Sequence, residues 1–360
     1  MKPIKKILSL IMMLVLSITS FTFLGSTDVQ AASNSKRVFL YVGETKNGKK
    51  YSQFTTQDIE KFTNVDEFVI LPTPHWEIYT DGSNNSYSRA LSYIKDTVNT
   101  INNSKNPKPV IVGLPGLNHA SAPFKTLYPK LQSFINQVDK ELGKSVKGFY
   151  YNCEYMYNNP GSSFDYNNLT NNSSVKLASD LSQYVKNSLS KPYNFIWIPI
   201  YSNAEGIAAD TIKRVGYITN RTNIFDEVLL QPNYYFNGTG PDNKAPLANL
   251  QGVKHSIDQQ QVTFRDGKPA AIKLSGIKTR IGVQMEVDGK VNWGDSANNL
   301  SAVVFQQRYQ QYVDAFKTFV GYYPISYYGA ERSHIFDTSV INSINQFYKY
   351  NLPGGTNKGY

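Results

Sequence analysis

An α/β fold, a single (β/α)8 TIM barrel with parallel strands inside and helices outside, is what this sequence predicts. Three observations predict it. Short apolar runs bounded by turn residues alternate with longer segments of helical period, the pattern of a parallel sheet with crossover helices. Eight such units can be counted and the last ends in a helix, which argues for closure. No glycine-rich phosphate turn follows the first strand, which leaves a doubly wound open sheet as the weaker alternative.

In chain order, strands are expected at Val38–Glu44, Glu67–Pro74, Pro109–Gly116 and Val146–Tyr155, then at Asn194–Tyr201, Glu227–Tyr235, Arg280–Val287 and Pro324–Glu331. Helical period marks Ser86–Asn102, Phe124–Leu142, Ser173–Leu189, Asn298–Phe319 and Thr338–Tyr350 between and after them. Residues 262–277 carry Asp266-Gly267 between the short apolar runs Val262-Thr263-Phe264 and Ala270–Leu274. They read as a hairpin insert or irregular excursion before the seventh strand. The tail from Pro353 is expected to fray. One barrel domain over residues 32–360 is expected, a length such barrels routinely reach.

Residues 1–31 read as a secretory signal and not as part of the fold. Lys2, Lys5 and Lys6 form a basic start, Ile7 to Leu16 is apolar except for Ser9, and Val29-Gln30-Ala31 offers small residues for cleavage. The apolar stretch is short for a membrane span. The expectation is therefore an extracellular protein, free of the membrane once cleaved, with association to the cell wall as a variant of it.

The chain has 37 basic and 27 acidic residues, a net charge of +10; removing three lysines and Asp28 with the leader leaves +8. Such a surplus suits an anionic wall polymer or polysaccharide, with plain solubility as the alternative. Nucleic acid is not expected, because the lysines are scattered and no binding motif occurs. The single cysteine, Cys153, rules out an intramolecular disulfide, so a monomer held by its own core is expected.

Strand side chains alternate faces, which divides each run into two sets. In the seventh strand Ile281, Val283, Met285 and Val287 form an apolar set that can meet the helices, so Gly282, Gln284 and Glu286 face the axis. The fourth strand divides likewise: Phe149, Tyr151 and Cys153 outward, Gly148, Tyr150, Asn152 and Glu154 inward. Glu154 and Glu286 each lie last in the inward set, at the C-terminal mouth where barrel enzymes carry their chemistry. Two carboxyl groups facing across a mouth can cleave a glycosidic bond, at ~5–5.5 Å apart with retention or ~6.5–9.5 Å with inversion. The plain alternative for either one is an ion pair with a neighbour such as Arg332.

Polar and aromatic residues gather at the same rim. Trp76 and Trp293 are the candidate stacking platforms for a sugar ring, with ordinary rim packing as their alternative. Asn152 is placed to reach a substrate hydroxyl beside Glu154, and Tyr235 or Tyr327 to orient the second glutamate. His75, Tyr201, Gln231, Asn233 and Gln284 complete the expected sugar contacts, with Glu44, Glu77 and His119 nearby. Asp288, Asp295 and Glu331 are rivals for either carboxylate role. His75, His119 and His334 follow strands on one side of the barrel, but their spacing matches no ligand motif, so neither metal nor cofactor is expected. Serine or cysteine nucleophiles are weakly supported, since no Gly-x-Ser-x-Gly elbow or P-loop occurs.

Gly148-Phe149-Tyr150-Tyr151-Asn152-Cys153-Glu154 and Gly282-Val283-Gln284-Met285-Glu286-Val287-Asp288 resemble motifs of a bacterial family catalogued as the domain of unknown function 4855, across nearly the whole mature chain. That resemblance implies a barrel of glycoside-hydrolase type with an open substrate question. The placement is also similar to the large group of retaining barrel glycosidases with glutamates on strands four and seven, which implies Glu154 as acid/base and Glu286 as nucleophile. That group has Asn directly before its acid/base; here Cys153 stands there, with Asn152 one residue further back. The other classes in play are a non-catalytic barrel that binds glycan and, more weakly, metal-assisted hydrolysis.

Overall fold

Eight parallel strands close into a barrel in sequence order, β1 to β8, with β8 hydrogen-bonded back to β1. The computed structural model describes residues 35–44, 50–73, 84–115, 124–158, 161–202, 210–237, 246–328 and 332–350. The strands are β1 (Lys36–Gly43), β2 (Glu67–Thr73), β3 (Val110–Gly113), β4 (Val146–Tyr151), β5 (Asn194–Trp197), β6 (Glu227–Leu230), β7 (Arg280–Glu286) and β8 (Ile325–Tyr328). Around them run α1 (Thr56–Glu60), α2 (Asn84–Asn102), α3 (Phe124–Leu142), α4 (Ser173–Asn187), α5 (Thr211–Arg221), α6 (Tyr234–Asn237), α7 (Ala248–Gln259), α8 (Lys290–Trp293), α9 (Ala302–Phe316), α10 (Arg332–Ile335) and α11 (Thr338–Phe347). Among the described residues no helix is long and apolar enough to cross a membrane.

Several strands stop short of the sequence expectation, and local chemistry explains it. Past Trp197 the chain meets Pro199, which has no N–H for the ladder, and only an isolated bridge, Ile200 to Gln231, continues the pairing. Past Leu230 comes Pro232, and Asn233 turns the chain left-handed at φ 56°. At the end of β4 the Cys153 N–H donates to Tyr151 O at 2.8 Å, a tight turn that ends the strand three residues before Glu154.

The alternation of faces holds. Phe39, Val69, Leu71, Ile111, Tyr150, Ile196, Ile198 and Leu229 pack with one another inside the barrel. Phe149, Tyr151, Cys153, Val283 and Met285 join the larger core between strands and helices. Gly282 is small for a reason: a Cβ there would lie 1.8 Å from the carbonyl oxygen of Pro324, the residue before β8. Residues 262–270 form a short antiparallel hairpin, with Phe264 N–H to Lys268 O at 2.7 Å and Gly267 at φ 81°.

The N-terminal end of the barrel is plugged by charge. Arg37, fully buried on β1, donates through Nε to Glu67 on β2 at 2.8 Å and through Nη1 to Glu227 on β6. Burial alone would lower the guanidinium's pKa, but Glu227 and Glu67 raise it overall. Burial pushes Glu67 up, yet Arg37 and Lys147 outweigh it and hold Glu67 down at about 2.

Candidate functional site

Glu154 is placed by contacts from two neighbouring strands. The indole N–H of the fully buried Trp197 donates to Cys153 O at 2.6 Å, and Ile200 N–H donates to Glu154 O at 3.2 Å. Trp197 is itself stacked on Phe225 at 5.1 Å, so this indole is a rigid strut. Among the described residues the Glu154 carboxyl accepts one hydrogen bond, from Gln231 Nε2 at 3.3 Å. Burial pushes its pKa up to about 7.

Glu286 is the last residue of β7 and is 1% exposed. Its Oε2 accepts from the Tyr312 hydroxyl at 2.7 Å and from the Tyr235 N–H at 3.0 Å. The Asn233 N–H also bonds to the carboxyl. The left-handed conformation of Asn233 lets the turn after β6 aim two N–H groups, those of Asn233 and Tyr235, at the carboxyl, while the Tyr234 N–H between them goes to the Tyr312 hydroxyl. Burial nevertheless pushes the pKa up to about 7: the three donors pull it down, and the charge of Glu154 pushes it further up. The Glu286 carboxyl therefore titrates in the field of Glu154. Among the described residues no cationic side chain pairs with either glutamate. Arg332, the expected ion-pair rival, is instead held by Asp58 at 2.6 Å.

The expected sugar contacts divide into groups. Gln231 lies beside Glu154 as described. Asn152 is buried, and its Nδ2 meets no hydrogen-bond partner among the described residues, an orphan amide two positions before Glu154. Gln284 faces inward but lies one strand pair deeper than Glu286, accepting from Ser326 Oγ. Asn233 contributes backbone to Glu286. Tyr235 contributes its N–H, while its side chain turns away and donates to Asp288 Oδ1 at 2.9 Å.

Two expectations are corrected. Tyr327 does not face the mouth: it is fully buried in the helix layer against Phe347 and Tyr348, with its hydroxyl 3.0 Å from that of Tyr309. Tyr201 likewise points outward and donates to Thr263 O at 2.7 Å above Gly252, where a Cβ would strike its ring. Trp293 is 57% exposed on α8 with its indole over Gly289. His75, Trp76, Glu77, His119 and Glu331 lie outside the described residues, as does the side chain of His334. Of the carboxylate rivals, Asp295 is paired with Lys290 at 2.7 Å, an interaction that holds its pKa down at about 2. Asp288 accepts from Tyr235 and from the Lys290 N–H. Among the described residues no cluster of three ligand side chains could hold a metal ion.

Tyr328, Tyr41 and Phe236 are additions to the sequence reading. Tyr328 packs edge-on to Tyr41 at 5.4 Å and to Phe236 at 5.7 Å, an aromatic strip along the mouth. Burial pushes the Tyr328 phenol up to about 12, a hydrogen bond with Tyr41 pulls it down, and the charges of Glu154, Glu286 and Asp288 add to the rise, so it stands within the field of both carboxyls. The signal was available: the count that places Gln284 and Glu286 inward pairs them with Ser326 and Tyr328, not Tyr327. Tyr312, on a helix 26 residues along the chain from Glu286, left no such trace.

No protein-family model matches the chain, and no curated protein does, so the likeness to the domain of unknown function 4855 stays a resemblance. Among solved structures the chain is similar to a β-glucuronidase of Bifidobacterium dentium complexed with coumarin-3-O-glucuronide. The TM-score is 0.50 at 9% identity, over 91% of this chain and 48% of that one. It is also similar to a β-glucuronidase from Ruminococcus gnavus, with TM-score 0.48 and 9% identity over 88% and 50% of the two chains. A third is a psychrophilic glycoside hydrolase family 10 endo-β-1,4-xylanase, with TM-score 0.47 and 10% identity over 91% and 99%. The chain spans about half the length of the two glucuronidases. At these identities the likeness is one of fold.

Proposed function

We propose that the chain is a glycoside hydrolase, secreted after loss of residues 1–31, that cleaves a poly- or oligosaccharide with Glu154 as acid/base and Glu286 as nucleophile. The observation that carries it is the pairing itself: two carboxyls at the C-terminal mouth, free of any described cation, both raised to about 7, Glu154 by burial and Glu286 by burial and the charge of Glu154. Structural ion pairs shift carboxyls the other way, as Glu67 and Asp295 do.

The hydrogen bonds support this division of roles. Glu286 receives three donors, which favour its anion, while Glu154 receives one long amide contact and keeps the shared proton. Glu154 donates that proton to the glycosidic oxygen as the C–O bond breaks, and Glu286 bonds to the anomeric carbon. The deprotonated Glu154 then takes a proton from water as that water displaces Glu286, restoring both groups with retained configuration. The aromatic strip of Tyr41, Tyr328 and Phe236 offers apolar faces for a pyranose, and the orphan amide of Asn152 offers a donor for a hydroxyl.

The test is release of reducing ends from a panel of uronic-acid, neutral and amino-sugar glycans, with product anomers followed by NMR. Glu286→Gln should abolish release while keeping the fold. Full release by that variant sinks the assignment. Glycan retention without release from any polymer would make the chain a binding barrel instead.

A further inference from the structure

Helix α9 makes an unusual set of contacts for a helix of the outer ring, all directed at the turn that feeds Glu286. Phe305, Arg308 and Tyr312 stand at helical spacings of three and four, hence on one face. The Phe305 ring lies 5.3 Å from that of Tyr235. Arg308 Nη1 donates to Tyr235 O at 2.6 Å. The Tyr234 hydroxyl donates to Gln311 Oε1 at 2.8 Å, and the Tyr234 N–H donates to the Tyr312 hydroxyl at 3.2 Å. Tyr312 in turn donates to Glu286 Oε2 at 2.7 Å.

A backbone N–H can only donate, so Tyr234 occupies one of the two lone pairs of the Tyr312 oxygen. An ionised carboxylate can only accept, so toward the Glu286 anion the Tyr312 hydroxyl donates its single proton. A charge-assisted O–H···O bond of this kind is among the stronger contacts a carboxylate can receive.

We propose that α9 acts as a clamp on the residue 233–235 turn and that Tyr312 is the positioning residue that fixes the orientation and the negative charge of Glu286. The inference rests on the reading of Glu286 as the nucleophile and extends it to a residue behind the barrel wall. The groups that face Glu286 are Tyr312 from α9, the backbone of Asn233 and Tyr235 from the turn after β6, Glu154 from the loop after β4 and Tyr328 from β8. Arg308 stands one residue removed, on the Tyr235 carbonyl, and Asp288 acts through the Tyr235 hydroxyl. Of these, Tyr312 and the two N–H groups favour the anion, and Glu154 opposes it.

The experiment is a carboxyl titration, which needs no substrate. Protein labelled at the glutamate side-chain carboxyl carbon is followed by 13C NMR in a Glu154→Gln background, so that Glu286 titrates alone, with its signal assigned by Glu286→Gln. Tyr312→Phe should raise the Glu286 midpoint by about one pH unit or more. A Tyr312 that only fills space would lower the melting temperature and leave the midpoint where it was, and that result overturns the proposal. Should Tyr312→Phe fail to fold, 3-fluorotyrosine placed at 312 keeps the shape and donates more strongly, so the midpoint should fall; an unmoved midpoint again overturns the clamp. If Glu286→Gln retains turnover while the midpoint moves, the nucleophile assignment fails and the positioning of Glu286 stands.

Discussion

Replacing Glu286 by Gln should change how stability depends on pH more than it changes stability at any one pH. The side chain is 1% exposed, and its folded-state pKa is about 7 against an ordinary 4.5. Below pH 4.5 the carboxyl is protonated in both the folded and the unfolded chain, and the stabilisation from holding the proton is fully present. Between 4.5 and 7 the unfolded chain ionises while the fold still holds its proton, so stability falls as pH rises; above about 7 that contribution is gone. A shift of this size corresponds to ~3 kcal/mol in total, most of which falls between pH 5 and pH 8 for a lone group. Gln keeps the size and can still accept from Tyr312, yet carries no charge to desolvate. Urea unfolding of both proteins at pH 5 and pH 8 measures the difference. The Gln variant should gain on the native protein by about 2 kcal/mol in going from the lower to the higher pH. Parallel pH dependence in the two proteins would refute the reasoning, because it would mean that Glu286 ionises as it does in the unfolded chain.

Two more expectations follow from where side chains lie. Tyr327→Phe should leave turnover unchanged and cost about 1 kcal/mol through its lost hydroxyl pairing with Tyr309, whereas Tyr328→Phe should lower turnover roughly tenfold or more; steady-state rates beside melting curves separate the two. Arg37→Met should cost about 3–5 kcal/mol at pH 7 by removing the buried cation that lies between Glu67 and Glu227. Glu67 contributes stability that is present above about 4.5 and lost as pH falls through about 2, so the Arg37→Met penalty should shrink when unfolding is repeated at pH 3.

Period-two alternation made most of the barrel readable from the chain alone. Apolar Val283 and Met285 against polar Gln284 and Glu286 can be satisfied only by a wall with core on one side and an axis on the other. The same count carries Glu154 and Glu286 to one end of the barrel, because every strand runs the same way. Strand ends were less legible: Pro199, Pro232 and the turn at Tyr151–Cys153 break the ladder where the apolar runs continue. Choosing Tyr327 over Tyr328 was a question of parity on a four-residue strand, where a shift of one reverses the face.

Local sequence, then, determined the strands, their faces and the two acidic positions, since each follows from spacings of two to four residues. Tertiary structure alone decided what surrounds those acids. Whether a carboxyl is paired, buried or fed by N–H groups depends on residues 50 to 80 positions away, as Tyr235 is from Glu286 and Gln231 from Glu154. Tyr312 and Arg308 reach the site through the helix layer, a contact made by packing and not by any repeat in the chain.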